Sequence, residues 1–371
     1  MSMKALRKYS YEPDYAVPPG RTLEDTMVVQ GMTQRELADR TGLTVQTLNR
    51  IFNGKQPITY ETANKLELVT GTPASFWINL EGQYRLQLNK VVEKQALQKN
   101  QAWLETIPVK ELVSRKVIPA SDDSATQLRE VLRFFGVSNI NAWKTIWEKP
   151  AVAARRSACF ESSPGPTSAW IQLGHLKARK IKSSPFEKTK FLECLKKVRG
   201  LIKQPVAECL PEVTRLCASA GVAFVVVPEF KKAPWSGAAE WLTPEKAMLL
   251  LSLRGKSEDR FWFSFFHEAG HILNDSKKKT YIDNKDSYTH DSLEISANKF
   301  ASDMLIPREF DCCITAAKTR EDIVRIANHA DVSISIVVGR FQYLTQKWDL
   351  FNSLKQPLQL EEATFDDMIS S

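Results

Sequence analysis

Residues 261–273 read FWFSFFHEAGHIL, and the five residues His267-Glu268-Ala269-Gly270-His271 within that run decide how the C-terminal half is built. A spacing of four places both imidazoles on one face of a helix, one turn apart, so each can offer a ring nitrogen to the same tetrahedral zinc ion. Glu268 is offset around the helix, near enough to take a proton from a zinc-activated water without ligating the metal. Zinc brings the pKa of such a water down to about 7, which makes the nucleophile available at neutral pH. Phe261, Trp262, Phe263, Phe265 and Phe266 before the motif, with Ile272 and Leu273 after it, predict a helix buried nearly all round. Such burial supplies the dry, rigid support that a metal site requires.

A third ligand must come from further along the chain. Residues 272–277 are ILNDSK, which rules out a third histidine of the metzincin kind. Glu294 is the leading candidate: it opens the helical run EISANKFASDMLIP, in which Ala297 and Ala301 are small enough to let two helices approach closely. Asn298, one turn beyond Glu294, is placed to hydrogen-bond a ligand histidine. His290 and Asp291 compete as ligands. The group that stabilises the transition state stays open among Tyr281, Tyr288, His290 and Tyr343. His175 and His329 have no partners at ligand spacing and read as ordinary side chains.

HEAGHIL followed by ExxANKFASDMLIP resembles the ImmA/IrrE family of metallopeptidases. The resemblance implies a gluzincin-like site with His267, His271 and Glu294 as zinc ligands and Glu268 as catalyst. It also implies that GVAFVVVPEF, SGAAEWL and AMLLLSLR form a small β-sheet. Ser296 stands where the family is often acidic, at a position that is not a ligand. Every matched catalytic position is filled, so an active zinc endopeptidase is expected.

Thr33–Gly54, TQRELADRTGLTVQTLNRIFNG, carries a second pattern. Thr33 caps a helix with Leu37 and Ala38 facing inward, and Gly42 sits at a turn that needs positive φ. Thr44 caps the next helix, Val45, Leu48, Ile51 and Phe52 supply apolar contacts, and Asn53-Gly54 stops it. Two capped helices crossing at a glycine turn form a helix-turn-helix, with the second helix presented to a DNA groove. Thr44, Gln46, Thr47, Asn49 and Arg50 lie at its start and on its outer face. Gln and Asn suit adenine edges and Arg suits guanine. Gln34, Lys55 and Thr59 are placed for phosphate contacts. From Gly20 to Tyr84 the chain resembles HigA-like antitoxins within the λ-repressor-like (XRE) regulators, on GMTQRELADRTGL, NRIFNGKQPITYETANKLELVTGT and SFWINLEGQYR. That resemblance implies a five-helix domain binding palindromic double-stranded operators as a homodimer.

The remaining bounds are compositional. A 371-residue chain with 43% hydrophobic and 25% charged residues is a folded protein of two or three domains, not a disordered one. The longest apolar runs, Val222–Val227 and Ala247–Leu251, are far short of the ~20 residues of a membrane span. Residues 1–15, MSMKALRKYSYEPDY, hold no apolar core of the length a signal peptide requires, and six cysteines occur without a CxxC, so a reduced, cytoplasmic protein is expected. The expected class is α+β, mainly helical: an arm and helix-turn-helix domain over 1–85, a helical connector over 86–185, and the peptidase domain over 186–371. A basic amphipathic helix is expected over Phe186–Lys203, and a helical pair over Glu321–Gln346 reads as scaffold.

The formal net charge is +8, but residues 1–85 hold 10 basic and 9 acidic side chains. The DNA-binding expectation therefore rests on the motif and not on the charge. The expected function is a DNA-binding regulator whose zinc endopeptidase cleaves a regulatory protein, either a repressor or antitoxin-like partner or a second copy of the chain. The alternative is a non-cleaving antitoxin or ligand-sensing repressor whose peptidase-like half only binds.

Overall fold

The computed structural model describes residues 15–98, 101–148, 163–233, 235–274, 287–358 and 360, with backbone alone at 93–98, 101 and 287–291. The chain is mainly helical with a small three-stranded sheet. It divides into two compact units, residues 1–102 with 121–128, and residues 103–120 with 129–371.

The first unit holds five helices: α1 (Pro19–Val29), α2 (Gln34–Thr41), α3 (Val45–Phe52), α4 (Tyr60–Thr70) and α5 (Ala74–Gln98). Three of them start on a threonine whose hydroxyl accepts a backbone N–H three residues on: Thr33 from Glu36, Thr44 from Thr47, Thr59 from Thr62. Each cap contributes about 1 kcal/mol. Gly42 and Gly71 close α2 and α4 at φ +69° and +71°, a conformation that costs glycine nothing. Leu23, Leu37, Leu48, Ile51, Leu66 and Trp77 bury the inward faces of all five helices together. Buried Glu81 on α5 accepts the Ile58 N–H at 3.1 Å and Arg85 Nε at 2.7 Å, which ties α5 to the turn before α4.

Two local expectations change here. The Pro18-Pro19-Gly20 run, which as a sequence reads as the end of an irregular arm over residues 1–21, already contains the start of α1 at Pro19. Proline fits the first helical position because its missing N–H is not needed there. Val45, on the first turn of α3, is 42% exposed, and the inward contacts of α3 come from Leu48, Ile51 and Phe52.

The second unit begins with α6 (Gln101–Thr106), α7 (Val109–Ser114), α8 (Ser124–Phe135) and α9 (Ile140–Trp143), parts of α6 and α8 being shared with the first. After them come α10 (Pro164–Lys180), α11 (Lys188–Leu201), α12 (Val206–Ser219), β1 (Val222–Val226), β2 (Gly237–Thr243) and β3 (Lys246–Leu251). The strand order is β1-β3-β2, with β1 parallel and β2 antiparallel to β3. Successive residues of β1 and β3 point to opposite faces. Val222, Phe224, Val226, Ala247, Leu249 and Leu251 join one core with α11 and α12. Ala223, Val225, Met248 and Leu250 join the other with α10 and residues 107–143. Both faces are covered, which is why these two strands read as unbroken apolar runs. On the second face, His175 of α10 pairs with Glu240 of β2 at 2.7 Å.

Four helices complete the unit around α13 (Glu258–Asn274): α14 (Ser287–Leu305), α15 (Asp311–Ala316), α16 (Arg320–Ala330) and α17 (Ile334–Thr345). α13 is not buried all round as its aromatic run predicts. Trp262, Phe265, Phe266 and Ala269 are buried, while Ser264, His267 and His271 are half-exposed and Phe263 is exposed. α14 and the sheet cover α13 on two sides, and the remaining face opens on a cleft.

The basic stretch after α10 is partly structural. Arg199 of α11 donates to the carbonyls of Met304, Ala330 and Asp331 at 2.7–3.0 Å, and so holds the C-terminal ends of α14 and α16. Lys188 Nζ donates to Leu273 O at 3.1 Å, and Lys203 pairs with Asp331. Phe186 lies outside α11, its N–H donating to Glu245 O at 2.7 Å. No described helix is long and apolar enough to cross a membrane. Cys194, Cys209, Cys217, Cys312 and Cys313 are free thiols. Cys159 lies outside the described residues.

Gly20 provides a test of the first unit. A Cβ there would fall 2.2 Å from Phe52 Cα and 2.4 Å from Ile51 O, both backbone atoms. Gly20→Ala is therefore expected to lower stability by about 1–3 kcal/mol in urea unfolding followed by circular dichroism. An unchanged midpoint would contradict the close packing of α1 on α3.

Candidate metal centre and nucleic-acid interface

The candidate metal centre is assembled by two helices that meet closely. A Cβ at Gly270 would lie only 3.1 Å from Ala297 Cα and 3.4 Å from Ala297 Cβ, so α13 and α14 meet through their smallest residues. That approach brings Glu294, which stands two turns inside α14 and not at its start, onto the histidine pair of α13. The Nε2 atoms of His267 and His271 are 3.1 Å apart, and Glu294 oxygens lie 3.4 Å from each. Metal arms of about 2.0–2.1 Å at tetrahedral angles put donor atoms about 3.3 Å apart. The two nitrogens and the carboxylate therefore fit three corners of a zinc tetrahedron. Among the described residues His267, His271 and Glu294 form the only such cluster of ligand-type side chains.

Asn298, one turn past Glu294, accepts the His267 Nδ1–H at 3.0 Å, which leaves the Nε2 lone pair facing the cluster. Asn274 Nδ2 reaches Ser296 Oγ at 3.4 Å, so Ser296 contributes to the same helix contact and offers no charge. When the imidazoles are instead protonated at Nε2, hydrogen bonding from His267 and then His271 holds the Glu294 carboxyl well below the usual carboxylate range, against the opposing effect of burial. Glu268 is buried on α13, with its side chain against β2: a Cβ at Gly237 would stand 2.7 Å from Glu268 Oε1. Glu268 lines the same cleft as the cluster and is not part of it. His290 and Asp291, the competing ligands, and Tyr281 and Tyr288 have side chains outside the described residues.

The cluster sits in a cleft of about 960 Å³. Residues 235–239, Phe263, Arg254, Arg260, Arg340, Tyr343, Trp348 and Lys355 share its walls with the metal cluster. Phe263 stacks on His267 with ring centroids 6.2 Å apart. Tyr343 is 61% exposed on that wall. Of these wall residues, the sequence pointed only to Tyr343 for the chemistry. For Arg260 and Phe263 a signal existed: they precede His267 by seven and four residues and so share its helix face. Arg340 and Gln342 of α17 are both engaged internally. Asp311 grips Arg340 at 2.9 and 3.0 Å, and Gln342 donates to Trp348 O, Leu350 O and Asn352 Oδ1. The α16–α17 pair therefore has little left with which to read bases.

In the first unit Gln46, Asn49 and Arg50 are exposed on the outer face of α3, Thr47 is half-exposed, and Lys55 is exposed beyond its end. Thr44 caps α3, its hydroxyl also 2.9 Å from that of Thr47. Gln34 donates to Asn49 Oδ1 at 2.9 Å and to Val45 O at 3.3 Å, so it braces α2 against α3 as well as facing outward.

Comparison with known proteins agrees with this order of parts. Residues 30–77 match the helix-turn-helix family and residues 224–342 match the IrrE N-terminal-like domain of the M78 peptidases. The described helix pair α2–α3 and the α13–α14 cluster fall inside those two segments. No curated protein matches the chain. Among solved structures, an addiction module antidote protein of a HigA family from Coxiella burnetii is similar, with 28% identity over 24% of this chain and 91% of that one, at a TM-score of 0.20.

Asn298→Ala tests the brace on His267: zinc affinity is expected to fall about 10–100-fold by competition with a chromogenic chelator. Wild-type affinity in that variant would show that His267 needs no such partner. The chain joins a helix-turn-helix DNA-binding domain to an IrrE N-terminal-like, peptidase-type domain.

Proposed function

We propose that the chain is a DNA-binding regulator whose second unit is a zinc-dependent endopeptidase. The observation that carries the reading is the triangle of His267, His271 and Glu294 with Glu268 beside it on one cleft wall. His267 and His271 would hold the metal through Nε2, and Glu294 through its carboxylate. A zinc ion bound there supplies Lewis acidity and brings water to the nucleophilic state near neutral pH. The rest falls to the chain's own groups. Glu268 accepts a proton from the attacking water at its carboxylate and returns it to the leaving amine nitrogen. Asn298 keeps His267 in the tautomer whose Nε2 is unprotonated.

β2 pairs with β3 along one edge, and residues 235–239 line the cleft, so an extended peptide can lie beside that strand and take main-chain hydrogen bonds from it. The substrate class is thus an extended segment of a protein, in keeping with a repressor or antitoxin-like partner or a second copy of this chain.

On the DNA side, α3 enters the major groove. Gln46, Asn49 and Arg50 read base edges, and Gln34, Thr44, Thr47 and Lys55 contact or orient toward phosphates. Exposed Val45 adds an apolar contact of the kind a thymine methyl accepts. Two copies on a palindromic operator complete the reading.

Two measurements test these roles. Zinc-loaded wild type and Glu268→Gln are compared on an unstructured peptide library analysed by mass spectrometry. The variant is expected to keep its zinc and lose at least about 100-fold in cleavage rate. Equal cutting by both proteins, or none by the wild type, contradicts the reaction. For DNA, Gln46→Ala and Arg50→Ala are expected to lose about 1–3 kcal/mol each on the chain's own upstream region, read by fluorescence anisotropy at fixed salt. Specific binding untouched by both changes would sink the recognition-helix assignment.

A further inference from the structure

The cleft wall carries more positive charge than the metal cluster uses. Arg260 precedes His267 by seven residues on α13, two turns away on the same face and about 10 Å along the axis. Arg254, in the loop after β3, lines the same end of the cleft, its N–H fixed by Ser252 Oγ at 3.1 Å. Arg260 folds back across that loop at Gly255, where φ is +87° and a Cβ would fall 2.6 Å from Arg260 Cδ and 3.2 Å from Nη1. A side chain at 255 would displace the guanidinium, so the bare glycine gives Arg260 its course over the cleft wall.

Two other cations of the cleft have carboxylate partners of their own. Arg340 is gripped by Asp311, and Lys355 pairs with Asp259 at 2.8 Å. That second pair also neutralises the acidic side chain lining this end, because Asp259 is buried and Glu268 and Glu294 belong to the metal end. Arg260 is exposed and has no carboxylate partner among the described residues. A planar guanidinium with free donors, beside a second one, is suited to a carboxylate.

We propose that Arg260, with Arg254, forms a subsite for an acidic side chain of the peptide in the cleft. At about 3.3 Å per residue of extended chain, that side chain lies about three residues from the bond beside Glu268. The inference rests on the reading that the cleft receives an extended peptide, and it adds a charge preference to it.

The test uses the full chain carrying Glu268→Gln, loaded with zinc, and two sets of fluorescein-labelled peptides that share one neutral sequence but carry Asp or Lys at successive positions. By anisotropy the Asp set is expected to bind about fivefold tighter than the Lys set. The preference is expected to vanish in Arg260→Glu and to reverse in the Arg254→Glu, Arg260→Glu double variant, with zinc content unchanged in both. Equal binding of the two sets, binding of neither, or an Asp preference that survives the double variant overturns the subsite.

Cleavage of the same peptides by zinc-loaded protein with Glu268 intact separates this inference from the reaction. Arginine-dependent Asp preference without cutting removes the peptidase and keeps the subsite. Cutting without charge preference removes the subsite and keeps the peptidase.

Discussion

The second unit depends on one close approach, that of α13 to α14 through Gly270 and Ala297. A Cβ at Gly270 would stand 3.1 Å from Ala297 Cα, so even one added carbon there requires the neighbouring helix to give by a few tenths of an ångström. This contact sets how far Glu294 reaches toward the histidine pair. It also lets Asn298 meet His267 Nδ1 at 3.0 Å, so tautomer and ligand geometry follow from the same packing. Arg199 reinforces the far end by holding Met304 O, which anchors the C-terminus of the helix that supplies Glu294. The site is built on two helices and one strand, elements rigid enough to keep donor atoms within a few tenths of an ångström.

Much of this was legible because the signals are local. The i, i+4 histidines, the threonine caps and the glycine turn at 42 each depend on neighbours within four residues, and each is where the sequence puts it. The apolar runs Val222–Val227 and Ala247–Leu251 coincide with β1 and β3. β2 was different: GAAEWLT has no apolar run of its own, and its half-buried residues read as a strand only through family resemblance. The aromatic run on α13 misled for a related reason. Apolar residues report what is buried, yet they do not say which side a cleft leaves open, and Phe263 sits on that side. The wall of Arg254, Arg340 and Lys355 comes from three separate segments, a juxtaposition that no spacing rule can reach.

Charge proved to be a poor guide to function and a better guide to packing. The balance is nearly neutral over residues 1–85, where the helix-turn-helix lies, while His175–Lys203 holds ten Lys and Arg. Several of these close helix ends or pair across helices, as Arg199, Lys188 and Lys203 do. Their positive charge faces backbone carbonyls and Asp331, and for them structure accounts for composition. In the proposed DNA complex the head would rely on the side chains on the outer face of α3, because residues 1–85 carry little net charge.

The central claim is that His267, His271 and Glu294 hold zinc. It is tested most directly by zinc-edge X-ray absorption on the purified full chain, with metal content measured on the same sample. The account predicts one zinc per chain with two imidazole nitrogens and carboxylate oxygen at about 2.0–2.1 Å, and loss of that signal in Glu294→Ala. Substoichiometric metal, sulfur in the first coordination sphere, or an unchanged spectrum in Glu294→Ala would contradict it.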